Sequence, residues 1–287
     1  MTPTETSASE LRSFCEKYNV RHSIGDLTPT ICELFGIRLP AQCGATAIPE
    51  VVDQASHLMG GEGKCKKALL FCPDAWGNVQ GERYPELRAR VQAQAGFAVE
   101  CASVMPSVTP VCYGTIFSGA SPEIHGIKKY EKPVLTIETL FDVLAEAGLN
   151  VAIVSMNNCS IDTIFRKRKV DYYSFREDQQ SFEQTRRILA DGAYDVIVSY
   201  MTGYDHSGHV SGPWSPESIE QLTLAVTRFE QLCADTDKYW GNLPHVVAFL
   251  PDHGQHQVDA QSGAHGLDIP DDMRVNHYYR VRGHQAY

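Results

Sequence analysis

Apolar and polar positions alternate between two patterns from residue 64 onward. Continuous apolar runs, typical of buried strands, lie at 67–72, 97–105, 150–156, 195–201 and 244–251. Between them, helix-start residues and helical apolar spacing predict helices over 85–95, 110–118, 136–147, 181–190 and 215–240. This strand–helix alternation predicts an α/β fold, a three-layer α/β/α sandwich with a mainly parallel central sheet.

Residues 1–64 precede the first predicted strand and are expected to form a helical segment. A short amphipathic helix is predicted with Thr28 as its cap, Pro29 as its first residue and Gly36 as its stop. Gly60 to Lys64 is the most linker-like stretch of the chain. We expect the stretch from Asp26 to Ile37, which contains this helix, to pack beside residues 274–282, so that residues 1–287 form a single catalytic domain.

Chemically reactive side chains follow the predicted strands. In open parallel sheets, ligands bind beyond the carboxyl ends of the strands. An isolated Asp or His after a strand is most often a loop cap or a structural residue, but such groups at four strand ends favour a site. The residues concerned are Asp74, Thr109, Asp205, His209, Asp252 and His253, with His265 a few positions beyond the last strand.

The acidic composition limits the class of partner. The chain carries 25 Lys+Arg against 35 Asp+Glu, a formal charge of −10. Nucleic acid polymers need basic surface, so they are not expected as ligands. A small phosphorylated substrate remains compatible if bound cations supply positive charge locally.

The histidines are unevenly distributed, with eight of the eleven lying after residue 205. Mixed Asp and His ligands suit zinc or manganese, and imidazoles favour zinc. Three carboxylates and three imidazoles are enough for two divalent ions. We therefore expect two metal ions as cofactors, zinc being favoured over manganese.

The sequence carries no sign of export or membrane insertion. Met1 to Glu5 lack the basic region and apolar run of a signal peptide, and 18 consecutive apolar residues occur nowhere. The nine cysteines are scattered without a C-x-x-C pair, which indicates reduced thiols. We expect a cytoplasmic protein that does not bind membranes.

Thr109 is the candidate nucleophile. It lies after a strand and directly before Pro110, which is typical of the first position of a helix. A Thr at this place is ordinarily a helix cap. However, the N-terminus of a helix also binds phosphate, and a hydroxyl coordinated by a metal becomes a nucleophile.

Four motifs together resemble the alkaline phosphatase superfamily, closest to its type I nucleotide pyrophosphatase/phosphodiesterase branch. The first runs from Met105-Pro106-Ser107-Val108-Thr109 to the P-E-x-H-G-I of residues 122–127. The others are D-x-x-G-H-x-x-G-P within 205–213, D-H-G at 252–254 and A-H-G at 264–266. The resemblance covers about residues 23 to 283.

The resemblance implies a role for each reactive residue. Thr109 would be the nucleophile, forming a covalent phospho-threonine that a metal-bound water then cleaves. One metal would be held by Asp205, His209 and His265, and the other by Asp74, Asp252 and His253, with Thr109 reaching it. The implied activity is hydrolysis of phosphodiester or pyrophosphate bonds.

Several positions depart from the family pattern. Cys112 replaces an Asn expected to hold a phosphoryl oxygen, so either a backbone N–H or Tyr113 would take over that role. The usual D-G after the first strand is D-A here, which would make Trp76 a wall of the pocket. His206 and His256, beside the ligands, would touch oxygens of the leaving group.

Alternative activities stay open. The interval from His253 to His265 is short, which is closer to the phosphomutase branch. A phosphomonoesterase, a phosphomutase or a catalytically silent metal-binding relative are therefore the alternatives. A sulfatase is excluded because Cys112 is not followed by the Pro and Arg of that nucleophile motif. The sequence leaves the oligomeric state open.

Overall fold

The computed structural model describes residues 1–60 and 64–283, and the middle of the linker-like stretch at 60–64 lies outside them. The strands are β1 His22–Ser23, β2 Lys67–Pro73, β3 Phe97–Ala102, β4 Val151–Met156, β5 Asp171–Phe175, β6 Val196–Met201, β7 His245–Phe249, β8 His256–Asp259, β9 Ser262–Ala264 and β10 Arg274–Arg282. The helices are α1 Pro3–Tyr18, α2 Leu27–Phe35, α3 Pro49–Met59, α4 Asn78–Arg83, α5 Pro85–Gln94, α6 Thr109–Ser118, α7 Pro122–His125, α8 Leu140–Glu146, α9 Ser160–Ile164, α10 Asp178–Asp191, α11 Gly203–Ser211, α12 Pro216–Tyr239 and α13 Pro270–Met273.

Eight of these strands form one sheet in the order β1-β3-β10-β7-β2-β6-β4-β5. β2 pairs in parallel with both β6 and β7, and β4 pairs in parallel with β6 and β5. Only β10 runs antiparallel to its two neighbours within this sheet. β8 and β9 form a separate two-stranded hairpin. The predicted α/β class is therefore confirmed.

The two faces of the sheet bury separate hydrophobic clusters. Successive side chains of a strand point to opposite faces, and β2 shows this clearly. Leu70 and Cys72 join a cluster with α1, α2, α3, α6, α8 and α9, whereas Leu69 and Phe71 join one with α5, α10 and α12. Within the described residues, none of the helices combines the length and apolar character that a bilayer crossing requires.

The N-terminal region differs from expectation in one detail. Thr28 lies inside α2 and its hydroxyl donates to the carbonyl of Ile116 at 2.7 Å, while the cap position belongs to Asp26. Thr28 is thus a contact between α2 and α6 instead of a cap. Gly36 ends α2 with a φ of 68°, as predicted. α3, the helix after α2, contacts β10, which spans the expected 274–282 segment.

Some element boundaries also differ from the sequence pattern. The helix predicted from residue 136 begins at Leu140, because Thr139 and Asp142 form a capping box there. The strand predicted to reach residue 105 ends at Ala102. β5 was not predicted, since it lies at the sheet edge and none of its residues is fully buried.

Replacing Phe71 tests how much the packing of the second hydrophobic cluster stabilises the fold. Its ring lies 5.9 Å from that of Phe229 and 5.7 Å from that of Phe249, measured between centroids. We expect Phe71→Ala to lower the free energy of unfolding by about 3–5 kcal/mol, because the cavity left behind loses contacts with both rings. Urea unfolding measures this change. The exposed Leu243→Ala serves as control and is expected to stay within about 0.5 kcal/mol of the parent protein.

Candidate metal centre and active site

The reactive residues meet at one edge of the sheet because β7, β2 and β6 are adjacent and parallel. Asp74 directly follows β2, and the pair Asp252-His253 follows β7. Asp205 lies in the first turn of α11, which follows β6. The β8–β9 hairpin returns the chain to the same edge and delivers His265. The strand-end rule thus accounts for the location of the site.

The first ligand group consists of Asp205, His209 and His265, with one ligand atom of each lying within 4.8 Å of the others. The Nε2 atoms of His209 and His265 each lie 3.3 Å from Oδ1 of Asp205. Asp205 and His209 are four residues apart on α11, so one helical turn places them side by side. This is the grouping expected for one metal ion.

The second ligand group consists of Asp74, Asp252 and His253, all buried. Nε2 of His253 lies 3.5 Å from Oδ1 of Asp74 and 3.3 Å from Oδ2 of Asp252. The two groups adjoin, since the rings of His253 and His265 stack with centroids 3.9 Å apart. The structure thus brings together all six residues expected to hold two metal ions.

The hydroxyl of Thr109 faces the second group. Its Oγ1 lies 3.4 Å from Oδ2 of Asp74 and 3.4 Å from Nε2 of His253. Thr109 is the first residue of α6, whose cap position is Val108, and the Thr109 side chain makes no capping hydrogen bond. The ordinary role of Thr at a helix start is therefore not the one seen here.

All three imidazoles are held in the orientation that a metal ligand needs. The Nδ1 atom of each lies at hydrogen-bond distance from a backbone carbonyl oxygen. These pairs are His209 with Gly263 at 3.0 Å, His265 with Ser107 at 2.9 Å and His253 with Gly254 at 3.0 Å. Because a carbonyl only accepts, Nδ1 carries a proton, and Nε2 is the ring atom that faces the carboxylates and is placed to bind a metal.

The buried carboxylates require a cation. Burial raises the pKa of Asp74 well above its usual range, and the charges of Asp252 and Asp205 raise it further. Burial likewise raises the pKa of Asp252 to about 8. Oδ1 of Asp74 and Oδ2 of Asp252 are buried without a hydrogen-bond partner among the described residues. Divalent metal ions would satisfy both atoms, so the donor set fits such ions.

Asp205 behaves differently from the other two aspartates. Burial acts to raise its pKa, but hydrogen bonds with His209 and His265 outweigh this and lower it. The pKa of His265 is correspondingly raised to about 9, because its bond to Asp205 outweighs the effect of burial. Without a metal, His265 therefore holds a proton at neutral pH that a bound ion must displace.

Three residues that sequence reasoning missed support the ligands. The Tyr200 hydroxyl donates to Oδ2 of Asp74, leaving Oδ1 free for a metal. The side-chain amide of Gln255 donates to the Asp205 carbonyl at 3.3 Å. The backbone N–H of Ala75 donates to Oδ1 of Asp252 at 3.3 Å. Tyr200 and Ser199 are the two hydroxyl residues of β6, so the sequence carried a signal for a polar group there but did not single out Tyr200.

The backbone beside the ligands restricts which residues can occupy positions 75 and 254. Ala75 has a φ of 63°, a left-handed conformation that explains the glycine of the family motif at this position. At Gly254, a Cβ atom would lie 1.9 Å from the carbonyl oxygen of Asp271. Gly254 is therefore required by the close approach of two backbone segments, in addition to the turn expected from the sequence.

The ligand groups lie at the base of an open cleft of about 960 Å³. Thr109, Tyr200 and His206 line it, so one of the five predicted substrate-binding residues is on its wall. Polar side chains of the strand ends β4 and β5 line its far side. They are Asn157, Asn158 and Arg176, and Lys132 and Tyr130 line the cleft from the loop before α8.

The other four predicted substrate-binding residues do not line this cleft. Cys112 is buried beneath Thr109 on α6, with its Sγ 3.3 Å from the Ser103 hydroxyl. The Tyr113 hydroxyl donates to the carbonyl of Leu250 at 3.3 Å. Every residue of α6 is buried, so these two side chains point into the core instead of toward a substrate.

Trp76 and His256 also lie away from the cleft, each because of its own contacts with neighbouring residues. The Trp76 ring packs edge-on against Phe249 in the second hydrophobic cluster, with centroids 5.5 Å apart. It is a core residue instead of a pocket wall. Nδ1 of His256 lies 2.7 Å from Oδ1 of the fully buried Asp272. That bond holds the start of the β8–β9 hairpin instead of meeting a leaving group.

Comparison with known proteins defines the family. The model of the family described as Type I phosphodiesterase / nucleotide pyrophosphatase matches residues 76–283. The chain therefore belongs to this family, and the resemblance drawn from its motifs is confirmed. The matched region includes all the ligand residues except Asp74, which lies two residues before it.

Individual relatives are distant. The catalytic subunit of human GPI ethanolamine phosphate transferase 2 is 21% identical, covering 59% of this chain and 18% of that protein. Among solved structures, phosphonoacetate hydrolase from Sinorhizobium meliloti superposes with a TM-score of 0.52 and 18% identity, covering 68% of this chain and 59% of that one. Murine ectonucleotide pyrophosphatase / phosphodiesterase 5 gives 0.53 and 16%, covering 67% and 58%. The chain thus spans less than two thirds of the length of each of these three proteins.

We expect purified protein to bind two zinc ions per chain, one for each ligand group. His265→Ala and His253→Ala are each expected to retain one, because each removes a ligand from a different group. Elemental analysis after gel filtration measures the content. His57→Ala removes an exposed histidine of α3 and is expected to retain both ions. Retention of two ions in both ligand variants would contradict the grouping.

Metal affinity is expected to rise with pH. The raised pKa values of Asp252, about 8, and His265, about 9, mean that both hold protons near neutrality without a metal. Binding displaces these protons, so affinity increases by up to about tenfold per pH unit for each of them. Competition with a chelator between about pH 6 and pH 9 measures this slope. A flat profile would show that neither group binds the ion.

Proposed function

We propose that this protein is a metal-dependent phosphohydrolase that cleaves phosphodiester or pyrophosphate bonds through a phospho-threonine intermediate. The observation that carries the proposal is the position of Thr109. Its hydroxyl lies between Asp74 and His253 at 3.4 Å from each, at the start of a buried helix and on the wall of the cleft. The chain spans only part of its relatives, so the activity is inferred from this geometry and from the family.

Thr109 and the start of α6 have separate roles in the proposed reaction. Thr109 Oγ1 loses its proton and attacks phosphorus, a P–O bond forms, and the bond to the leaving oxygen breaks as that oxygen takes up a proton. Water then cleaves the Thr109 ester, releasing the phosphoryl product and restoring the hydroxyl. At the N-terminus of α6, Pro110 has no N–H, and the N–H groups of Val111 and Cys112 donate to the Val108 carbonyl. The backbone N–H of Thr109 is therefore the group there that can favour the negative charge of the phosphoryl group.

Bound metal ions would supply Lewis acidity toward the phosphoryl oxygens and toward the Thr109 hydroxyl. Neighbouring residues of the chain hold the ligand side chains in position. Tyr200 fixes Asp74 by one carboxylate oxygen, and three backbone carbonyls fix the three imidazoles. Three imidazoles among six ligands favour zinc, with manganese as the alternative.

The structure changes which residues are expected to contact the substrate. His206 lines the cleft beside Asp205 and remains the predicted residue placed to meet a leaving group. With Cys112 and Tyr113 directed into the core, the backbone N–H of Thr109 is the remaining candidate to hold a phosphoryl oxygen. The substrate is proposed to be a small phosphorylated molecule, because the ligand groups lie at the base of a cleft.

Replacing the nucleophile tests the mechanism. We expect Thr109→Ala to lower turnover by about a thousandfold or more while metal content stays unchanged, because the attacking oxygen is lost. Thr109→Ser keeps a hydroxyl and should retain measurable turnover. Thr115→Ala is the matched control on the same helix, since the Thr115 hydroxyl meets His125 away from the ligands. Full activity in Thr109→Ala would contradict the proposal.

The preference between ester classes separates the alternatives. We expect bis-p-nitrophenyl phosphate to be hydrolysed with a higher kcat/KM than p-nitrophenyl phosphate, measured with the zinc-loaded protein. A strong preference for the monoester would favour a phosphomonoesterase or phosphomutase. Bound metal without turnover of either ester would favour a catalytically silent relative.

A further inference from the structure

The far wall of the cleft carries positive charge that the ligand groups do not use. Lys132, from the loop before α8, and Arg176, directly after β5, both line this wall. Within the described residues, neither side chain forms a salt bridge, whereas Arg38, Arg90 and Arg280 all pair with carboxylates. Unpaired cations facing one cleft are notable in a chain with a formal charge of −10.

Lys132 is oriented by a backbone contact. Its Nζ donates to the carbonyl of Asn158 at 2.9 Å, at the end of strand β4. One of the three ammonium hydrogens is used in this bond, so two remain for a ligand. The ammonium also lies 5.5 Å from the centroid of the Tyr130 ring, which is 61% exposed at the rim. The position of the charge is therefore fixed by neighbouring residues.

The acidic residues of this wall are not paired with the two cations. The carboxylate of Asp178 accepts hydrogen bonds from the backbone N–H groups of Thr202 and Gly203, each at 2.8 Å. It is thus committed to joining α10 to the end of β6. Glu177 is the remaining carboxylate among the residues lining this side. Glu177 and Asp178 balance the two cations in formal charge, but within the described residues neither carboxylate forms a salt bridge with Lys132 or Arg176, so both cations stay available to a ligand.

The sheet sets the distance between this wall and the metal ligands. Neighbouring strands lie about 4.8 Å apart, and the order is β2-β6-β4-β5. The end of β4, where Lys132 is anchored, therefore lies about 10 Å from the end of β2, where Asp74 lies. Arg176 follows β5 and starts about 14 Å away, before its side chain spans part of that distance.

We propose that Lys132 and Arg176 bind a second anionic group, a carboxylate or a phosphate, on the leaving part of the substrate. This inference rests on the proposed function, because it takes the phosphoryl group to lie at the two ligand groups. It assigns the substrate class as an elongated phosphoester or pyrophosphate whose leaving group ends in an anion. Arg176 suits a carboxylate or phosphate by two parallel hydrogen bonds, and Lys132 contributes a point charge.

A matched set of non-hydrolysable phosphonates tests this directly by calorimetry with the zinc-loaded protein. Hexylphosphonate presents one anionic end, whereas phosphonohexanoate adds a terminal carboxylate and hexane diphosphonate a terminal phosphonate at the same length. We expect the doubly anionic compounds to bind about tenfold more tightly than hexylphosphonate, as for hydrogen bonds to charged groups. The tighter of the two identifies whether the second anion is a carboxylate or a phosphate.

Variants assign the effect to these residues. Lys132→Met and Arg176→Met should each reduce the tenfold preference toward equal binding, while the Kd of hexylphosphonate stays unchanged. The controls Lys129→Met and Arg187→Met remove exposed cations outside the cleft and should retain the preference. Tight binding of hexylphosphonate with no gain from a second anion would overturn this inference alone. Failure of all three compounds to bind would overturn the metal-centred phosphoryl site as well.

Discussion

Two buried aspartates, Asp74 and Asp252, lie at one edge of the central sheet, each with a carboxylate oxygen that has no hydrogen-bond partner among the described residues. Carrying negative charge into such a site is costly unless a cation accompanies it. His253 lies between the two carboxylates, but burial lowers its pKa well below its usual value, so it stays neutral. Divalent metal ions satisfy this constraint, and the surrounding residues are arranged for them.

The rest of the site follows from this requirement. Tyr200 occupies one oxygen of Asp74, and backbone carbonyls occupy the Nδ1 atoms of the imidazoles, so the remaining donor atoms converge. The parallel strands β7, β2 and β6 bring these residues together from distant parts of the chain. The β8–β9 hairpin is short and returns His265 to the same point. Divalent ions bound here would supply the positive charge that an acidic protein needs to bind the proposed anionic substrate.

The sequence predicted that the six residues of the two ligand groups come together, because their geometry is local or topological. Asp205 and His209 are one helical turn apart, and Asp252 and His253 are adjacent. The apolar strands predict a parallel sheet, in which the carboxyl ends of the strands lie side by side. The substrate contacts were harder to predict. Cys112 and Tyr113 lie on a helix buried on all sides, so no amphipathic pattern showed which of its faces met the cleft. Trp76 and Lys132 depend on long-range packing that the local pattern does not encode.

The central claim is that two metal ions lie at the two ligand groups beside Thr109. Anomalous diffraction from crystals grown with zinc, recorded at the zinc absorption edge, tests it most directly. The account predicts two peaks, one among Asp205, His209 and His265 and the other among Asp74, Asp252 and His253. A fully ordered site with no peak at either group, or with peaks only elsewhere on the protein, would contradict it.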